Sequence, residues 1–382
     1  MEDDKNQKKG KGFTVIIKPT LGCNLACSYC YEDSNPDKNE TMSEETLTNS
    51  IQKVTEFNSE GPTSFLWHGG EPMLPGIDFY KRVVSIQAPL KEKGYEIDNS
   101  MQSNATLITD EILDFFEKYG FHIGASLDGP KKIHDKSRRY AGNNGSSFDD
   151  SFQNILKLKE RNIGGGAIVV LTKENIEHLP EIYEFFRDND IPVKINHIIN
   201  LGRARSCYEN IGISAKEYGE AMCNLFDLWF YDEIHNLSVD PFDEIIGNIM
   251  TDIPRGCNNS FSCQESFFGI EPNGEVYPCG KFGVGEEFLY GNINTDSIEQ
   301  IMSSDARKKI LERSDNLNKV CKACDYLNIC NGGCPEEAYN TRGNIYDRNP
   351  FCSGYRTLFS HIREAVVSEL KKAENKIDEV EV

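Results

Sequence analysis

A chain of 382 residues is long enough for one large domain and a smaller companion. Its 41 Lys and Arg against 61 Asp and Glu give a net charge of −20, which argues against nucleic acid or an anionic membrane as the main partner. No apolar run approaches the roughly 18 residues of a membrane helix, and the charged start lacks a secretory core, so a cytoplasmic protein with a disordered tail over 1–12 is expected.

In chain order, short β-rich runs alternate with longer helical patterns. Strands are expected at Phe13–Lys18, Ser64–His68, Glu96–Gln102, Phe121–Ser126, Gly166–Leu171 and Val193–Ile199. Helices are expected at Ser43–Phe57, Asp78–Lys93, Asp110–Tyr119, Ser147–Arg161 and Asn175–Asp188. These β–α repeats predict an α/β fold over 13–200, a parallel sheet with helices outside, curved into a partial (β/α)6 TIM-like barrel. Chemistry in such barrels sits on loops after the strands. A helical bridge follows over 201–256, where Met222, Leu225, Leu228 and Trp229 of Ser214–Tyr231 have core spacing. From Cys257 to residue 355 the chain is rich in Gly, Asn and Cys, with short strands Phe267–Glu271 and Glu275–Pro278, as a small metal-stapled domain would be. The helix Gly354–Leu370 and the charged tail Lys371–Val382 close the chain over 356–382.

Thirteen cysteines carry the chemical signal. A cytosolic chain keeps its thiols reduced, so clustered cysteines point to metal rather than disulfides. Cys23, Cys27 and Cys30 share one loop after the first strand, spaced C-x₃-C-x₂-C. Three thiolates hold three irons of a [4Fe–4S] cluster and leave the fourth open to a small molecule; zinc with a distant fourth ligand is the rival. Cys257, Cys263, Cys279, Cys321, Cys324, Cys330, Cys334 and Cys352 make eight more, enough to saturate two further clusters. The rival here is a pair of structural zinc sites, which would make the chain a non-catalytic zinc-stapled binding module. Cys207 and Cys223 fit neither group; Cys223 reads as buried on its helix.

The triad spacing, with Tyr29 before its last cysteine, resembles the signature of the radical S-adenosylmethionine (SAM) superfamily. That resemblance implies that SAM chelates the open iron and that one-electron cleavage yields a 5′-deoxyadenosyl radical, with a flavodoxin or ferredoxin as reductant. Trp67-His-Gly-Gly-Glu71-Pro72 resembles the family's GGEP motif, in which Gly69, Gly70 and Glu71 hold the SAM amino group. By the same resemblance Asn104 lies near the ribose or substrate, Ser126 contacts SAM, and Arg138 or Arg139 pairs with its carboxylate. Asp128, before Gly129, is either a turn-former or a catalytic group. His68 stands where some relatives carry Gln, as a substrate contact or a packed side chain, and His122 and His197 read as core histidines.

The C-terminal cysteine spacing, with Gly274 upstream of Cys279, resembles the SPASM extension of peptide-modifying radical SAM enzymes. It implies one auxiliary cluster on Cys257, Cys263, Cys279 and Cys334 and another on Cys321, Cys324, Cys330 and Cys352, three [4Fe–4S] clusters in all. The whole pattern resembles anaerobic sulfatase-maturating enzymes and their ribosomal-peptide-modifying relatives. Sulfatase maturases carry an aspartate, their proposed base, directly after the cysteine matching Cys279; here that residue is Gly280, which cannot accept a proton. Glu265, Glu271, Glu336 and Glu337 are the carboxylates nearby in sequence. The expected activity is therefore an oxidoreductase maturase that abstracts a hydrogen atom from a ribosomally made peptide to install a thioether, a carbon–carbon crosslink or an epimerised residue. Formylglycine formation on a sulfatase ranks second. The short stretch before the first strand implies a separate leader-recognition protein or direct binding in the barrel mouth.

Overall fold

The computed structural model describes residues 11–32, 40–234, 237–260, 264–282 and 285–380, with side chains to 375. The expected tail up to residue 10, and Cys263, lie outside the described residues. Strands follow in chain order as β1 Phe13–Ile17, β2 Thr63–Trp67, β3 Ile97–Ser103, β4 Phe121–Ser126, β5 Gly164–Leu171, β6 Val193–His197, β7 Val239–Asp240, β8 Phe267–Ile270, β9 Glu275–Tyr277 and β10 Gly291–Asn292. Two compact units emerge, one from 1–127, 138–166 and 262–312, the other from 128–137, 167–261 and 313–382.

In the first unit β1, β2, β3 and β4 pair in parallel, in that order. The helix Glu44–Phe57 starts at Ser43, whose Oγ accepts from Thr46 N at 3.1 Å, with Glu44 and Glu45 favourably placed in its first turn. A ring of aromatics fills the space beneath the helices: Trp67 meets Tyr80 at 5.8 Å, and Tyr80 meets Phe116 at 5.4 Å and Phe121 at 5.9 Å, all edge-to-face. The pairing of Phe267–Ile270 is not one the pattern gives: the strand pairs in parallel with the outer edge of β1, and β9 and β10 continue antiparallel from it. The physical reason is that β1 would otherwise expose a row of unpaired backbone groups, and the apolar β8 covers them, Phe268 packing on Phe13 at 5.4 Å. His122 is also not a core residue: it alternates to the exposed face of β4.

In the second unit β5, β6 and β7 pair in parallel. The helix Ala215–Phe230 begins with a capping box on Ser214 and Glu217. It buries Tyr218, Met222, Leu225 and Phe226, whereas Leu228 falls off that stripe and is 46% exposed. This helix lies against Cys352–Val380, and a Cβ on Gly354 would stand 2.1 Å from the Ala215 carbonyl oxygen, so only glycine permits the approach. The final helix does not stop at Leu370. It runs to Val380, because no Gly or Pro interrupts the charged segment and Lys372 pairs with Glu369 one turn earlier at 2.7 Å. Among the described residues no helix is long and apolar enough to cross a membrane.

Candidate active site

The cysteine loop after β1 is clamped from several sides within the first unit. Gly70 N donates to Thr20 O at 3.0 Å and Glu71 N to Gly22 O at 2.8 Å, so the Gly-Gly-Glu turn after β2 grips the segment just before Cys23. A Cβ on Gly70 would lie 2.1 Å from Gly22 O, which makes this glycine a condition of the loop's position. Elsewhere Ala26 N donates to Arg139 O and Ala141 N to Asn24 O, each at 2.8 Å, while Asn24 Nδ2 donates to Thr106 Oγ1 and Asn104 Nδ2 to Asn24 Oδ1, also at 2.8 Å. Burial, with Glu71, Cys27 and Cys30 nearby, pushes the Cys23 thiol up to about 12. A lone thiolate is costly there, and iron is the partner that makes it favourable; the donor set fits a cluster. Gly70→Ala is expected to lower iron bound by this loop, and SAM cleavage with it, by about tenfold, read from iron content and 5′-deoxyadenosine formation.

Glu71 is fully buried and accepts from three donors: Met73 N at 2.9 Å, Ser103 Oγ at 2.8 Å and Asn104 N at 2.8 Å. Its carboxylate therefore ties the turn after β2 to the end of β3. Burial pushes its pKa up, opposed by those hydrogen bonds and by Arg138. The structure distinguishes the two arginines. Arg138 is buried with Nη1 donating to Tyr29 Oη at 2.8 Å, whereas Arg139 donates to Asn144 O at 3.0 Å on its own loop. Ser126 Oγ accepts from Gln102 Nε2 at 3.1 Å. In the second unit Asp128 is buried and its carboxylate accepts from Val170 N at 3.2 Å, which ties it to β5.

Sequence reasoning missed a buried ionic cluster at the end of β1. Lys18 is 2% exposed and contacts Glu32 at 2.7 Å, Glu271 at 2.8 Å and Gly280 O at 2.9 Å. Burial alone would lower the lysine's pKa, but Glu32 and Glu271 outweigh it and hold the ammonium above its usual range. Burial pushes Glu271 upward, with Lys18 opposing and Glu32 adding to the rise. A Cβ built on Gly280 would meet Lys18 Cε at 3.5 Å, an ordinary contact, so the place of the missing aspartate side chain borders this cluster. Of the carboxylates close in sequence, Glu271 is brought here, Glu265 pairs with Lys11, and Glu336 and Glu337 belong to the second unit. A lysine next to a Pro-turn gave no periodic signal; only the fold converges these groups.

His68 Nδ1 accepts from Gly69 N at 2.8 Å and lies 3.2 Å from Tyr31 Oη. Burial, with Lys18 adding to it, lowers its pKa to about 4 although Glu32 opposes. A folded-state value below the unfolded value of roughly 6.5 means that the unfolded chain takes up the proton first, so stability is lost as pH falls from about 6.5 towards 4. His68→Gln is expected to flatten that part of the pH dependence, measured by urea unfolding at a series of pH values.

In the second unit Cys321, Cys324, Cys330 and Cys352 line one cavity of about 270 Å³. That is far more room than a single zinc ion takes, and burial with the neighbouring thiols pushes Cys330 up to about 12. Arg313 holds this region: buried, it donates to Ile345 O at 2.6 Å, Asn331 O at 2.9 Å and Gly332 O at 3.0 Å. Nearby His197, a core histidine as expected, stacks on Phe351 at 3.9 Å and faces Glu337 at 3.3 Å. Cys223 is buried. Of the other cysteines expected to ligate metal, Cys279 is half-buried in the first unit, and in the second Cys257 is exposed and Cys334 buried.

Residues 17–186 match the radical SAM superfamily and residues 257–325 an iron-sulfur cluster-binding domain. The chain is 30% identical to the serine-type anaerobic sulfatase-maturating enzyme of Bacteroides thetaiotaomicron, over 92% of this chain and 90% of that one. It is 30% identical to the cysteine-type enzyme of Clostridium novyi, over 91% of this chain and 95% of that one. The solved structure of anSMEcpe with bound AdoMet and Cp18Cys peptide superposes with a TM-score of 0.84 at 25% identity, covering 95% of this chain and 100% of that one. The non-catalytic zinc module is thereby set aside: SAM and several [4Fe–4S] clusters are the cofactors of a radical SAM enzyme. From its cysteine loop, its mostly parallel α/β fold and its likeness over nearly the whole length, the chain belongs to the radical SAM, SPASM-containing maturases that include the anaerobic sulfatase-maturating enzymes.

Proposed function

We propose that the chain oxidises a cysteine or serine side chain of a sulfatase-type protein to formylglycine, the reading the sequence alone ranked second. Similarity to both serine-type and cysteine-type maturases along more than nine-tenths of the chain supports it better than it supports a crosslinking maturase. The single observation that carries it is the Lys18–Glu271 pair beside Gly280, which supplies a carboxylate where the usual aspartate is missing.

Bound at the open iron, SAM supplies a radical able to take one hydrogen atom from the substrate's β-carbon. Cys23, Cys27 and Cys30 would hold that cluster, the backbone of the Gly69–Glu71 turn the amino end of SAM, and Arg138 its carboxylate. Asn104 and Ser126 would line the remainder of the SAM site, and Tyr29 would orient Arg138. For a cysteine substrate, the side chain then gives up one electron and the thiol proton to become a thioaldehyde, and water converts this to the aldehyde with loss of hydrogen sulfide. Glu271, oriented by Lys18, accepts the proton; burial raises its pKa and so favours that uptake. Auxiliary clusters, when bound, would supply the acceptor for that electron; by resemblance Cys257, Cys263, Cys279 and Cys334 would hold one and Cys321, Cys324, Cys330 and Cys352 the other. A flavodoxin- or ferredoxin-type reductant would drive the cycle, which makes the enzyme an oxidoreductase.

The test is anaerobic incubation of reconstituted enzyme with SAM, dithionite and a Cys-x-Pro-x-Arg peptide. The expected product has the mass of the aldehyde, trapped as a hydrazone. If 5′-deoxyadenosine forms while the peptide mass stays unchanged, the assignment is wrong. Gly280 is the observation that favours the second reading, peptide crosslinking or epimerisation assisted by a leader-recognition protein, which would appear as a thioether or as deuterium incorporated from solvent.

A further inference from the structure

The four cysteines lining the cavity of the second unit are tied together by groups other than their thiols, and Arg313 is the hub. This side chain is buried. Its Nε donates to Ile345 O at 2.6 Å, Nη1 to Asn331 O at 2.9 Å, and Nη2 to Gly332 O at 3.0 Å and Asp347 O at 3.4 Å. One planar fork thereby gathers the turn just after Cys330 and the stretch leading to Cys352. The turn is shaped to receive it: Asn331, Gly332 and Gly333 have φ of 47°, 76° and 73°, all left-handed, and a Cβ on Gly332 would stand 2.7 Å from Leu317 Cδ2. Two asparagines carry the net to the remaining thiols. Asn318 Nδ2 donates to Asp347 Oδ1 at 2.6 Å, its Oδ1 accepts from Cys321 N at 2.9 Å, and Cys324 N donates to Cys321 O at 3.0 Å. Asn349 N donates to Gly332 O at 3.3 Å, and Cys352 N to Asn349 O at 3.1 Å.

We infer that Arg313 is the positioning residue of this metal centre: it turns Cys321, Cys324, Cys330 and Cys352 toward one space within the folded chain, so that metal enters a site already drawn up. Thiols on loose segments lose their freedom only when the metal binds, and that ordering weakens capture. Here every bond named above joins backbone, asparagine, aspartate and arginine groups, so the order is in place whether or not a thiol has a ligand. Arginine suits the place because its five N–H donors lie in one rigid plane. A lysine ammonium is a point donor on a flexible stem and reaches fewer of the four carbonyls. The role concerns metal loading and holds for any peptide the enzyme modifies, so it does not rest on the formylglycine reading.

The experiment has two readouts on the full chain, and neither is turnover. The first is alkylation of the metal-free protein by iodoacetamide, resolved by residue with mass spectrometry. Arg313→Met is expected to quicken modification of Cys321, Cys330 and Cys352 by about tenfold or more, while Cys223, buried in the same unit, keeps its rate. The second is the iron and sulfide retained after anaerobic loading, where Arg313→Met is expected to hold about four fewer irons per chain. Arg313→Lys, which keeps the charge without the fork, is expected to fall between, and methylguanidinium supplied during loading to restore the irons of Arg313→Met. Equal quickening at Cys223 would make Arg313 a support of the whole unit and overturns the inference, as does iron retention equal to that of the unsubstituted protein. The mass change of a Cys-x-Pro-x-Arg peptide is measured separately, so a failed formylglycine reading leaves this result readable.

Discussion

Replacing Cys23, Cys27 and Cys30 together by alanine is expected to abolish 5′-deoxyadenosine formation, with about four irons lost per chain and the remainder retained. The reasoning is geometric. The loop is clamped by the Gly70–Thr20 and Glu71–Gly22 backbone bonds, by the Asn104–Asn24 bond and by the 139–141 segment, and of these groups only Asn104 also reaches a cysteine, with Nδ2 3.9 Å from Cys23 Sγ, so the fold should survive. The four thiols around the cavity of the second unit are untouched and should keep their iron. Iron and sulfide analysis, electron paramagnetic resonance of the reduced protein and product chromatography together check the prediction. Loss of all iron would mean that the cluster loop is a structural keystone, and persistent SAM cleavage would remove the radical reading altogether.

Lys18→Met should be the most damaging substitution outside the ligands. It leaves Glu32 and Glu271 facing each other in a buried place without their cation, a change expected to cost about 3–5 kcal/mol. Lys18→Met combined with Glu271→Gln should recover part of that loss, because one of the two uncompensated charges is then gone; urea midpoints of the unsubstituted protein, the two single variants and the double variant measure the coupling. Turnover separates the structural from the chemical role. Glu271→Gln should keep hydrogen-atom abstraction and slow product formation by about a hundredfold if it is the proton acceptor. An equal fall in both would instead make it a positioning residue.

The parallel strands were legible because each is a short apolar run bounded by turn signals, and Asp110–Tyr119 and Phe121–Ser126 come out with the bounds the pattern gives. Spacing made the two cysteine-rich regions legible, and Cys321, Cys324, Cys330 and Cys352, grouped by resemblance, line one cavity. What the sequence hid is long-range. β8 lies some 250 residues from the edge it covers, with nothing in its composition to name that edge as its partner. The Lys18 cluster joins positions 18, 32, 271 and 280, each unremarkable where it stands. Arg138 and Arg139 are neighbours of the same type, so only burial could tell them apart. The pattern ends the final helix at Leu370 because the segment beyond is charged, although a charged helix face is simply a solvated one.

Cys352 is the first residue of a 29-residue helix that is locked against its neighbour where Gly354 meets Ala215 and Gly219. Sliding that helix by one residue would swing the thiol through about 100° and carry it away from Cys321, Cys324 and Cys330. The glycine seam therefore acts as a phase lock for metal assembly. Its far end, about 42 Å along the axis, is remote from the iron, so an affinity handle or fluorescent fusion placed there should leave the auxiliary cluster intact, whereas a bulky residue at Gly354 should empty it.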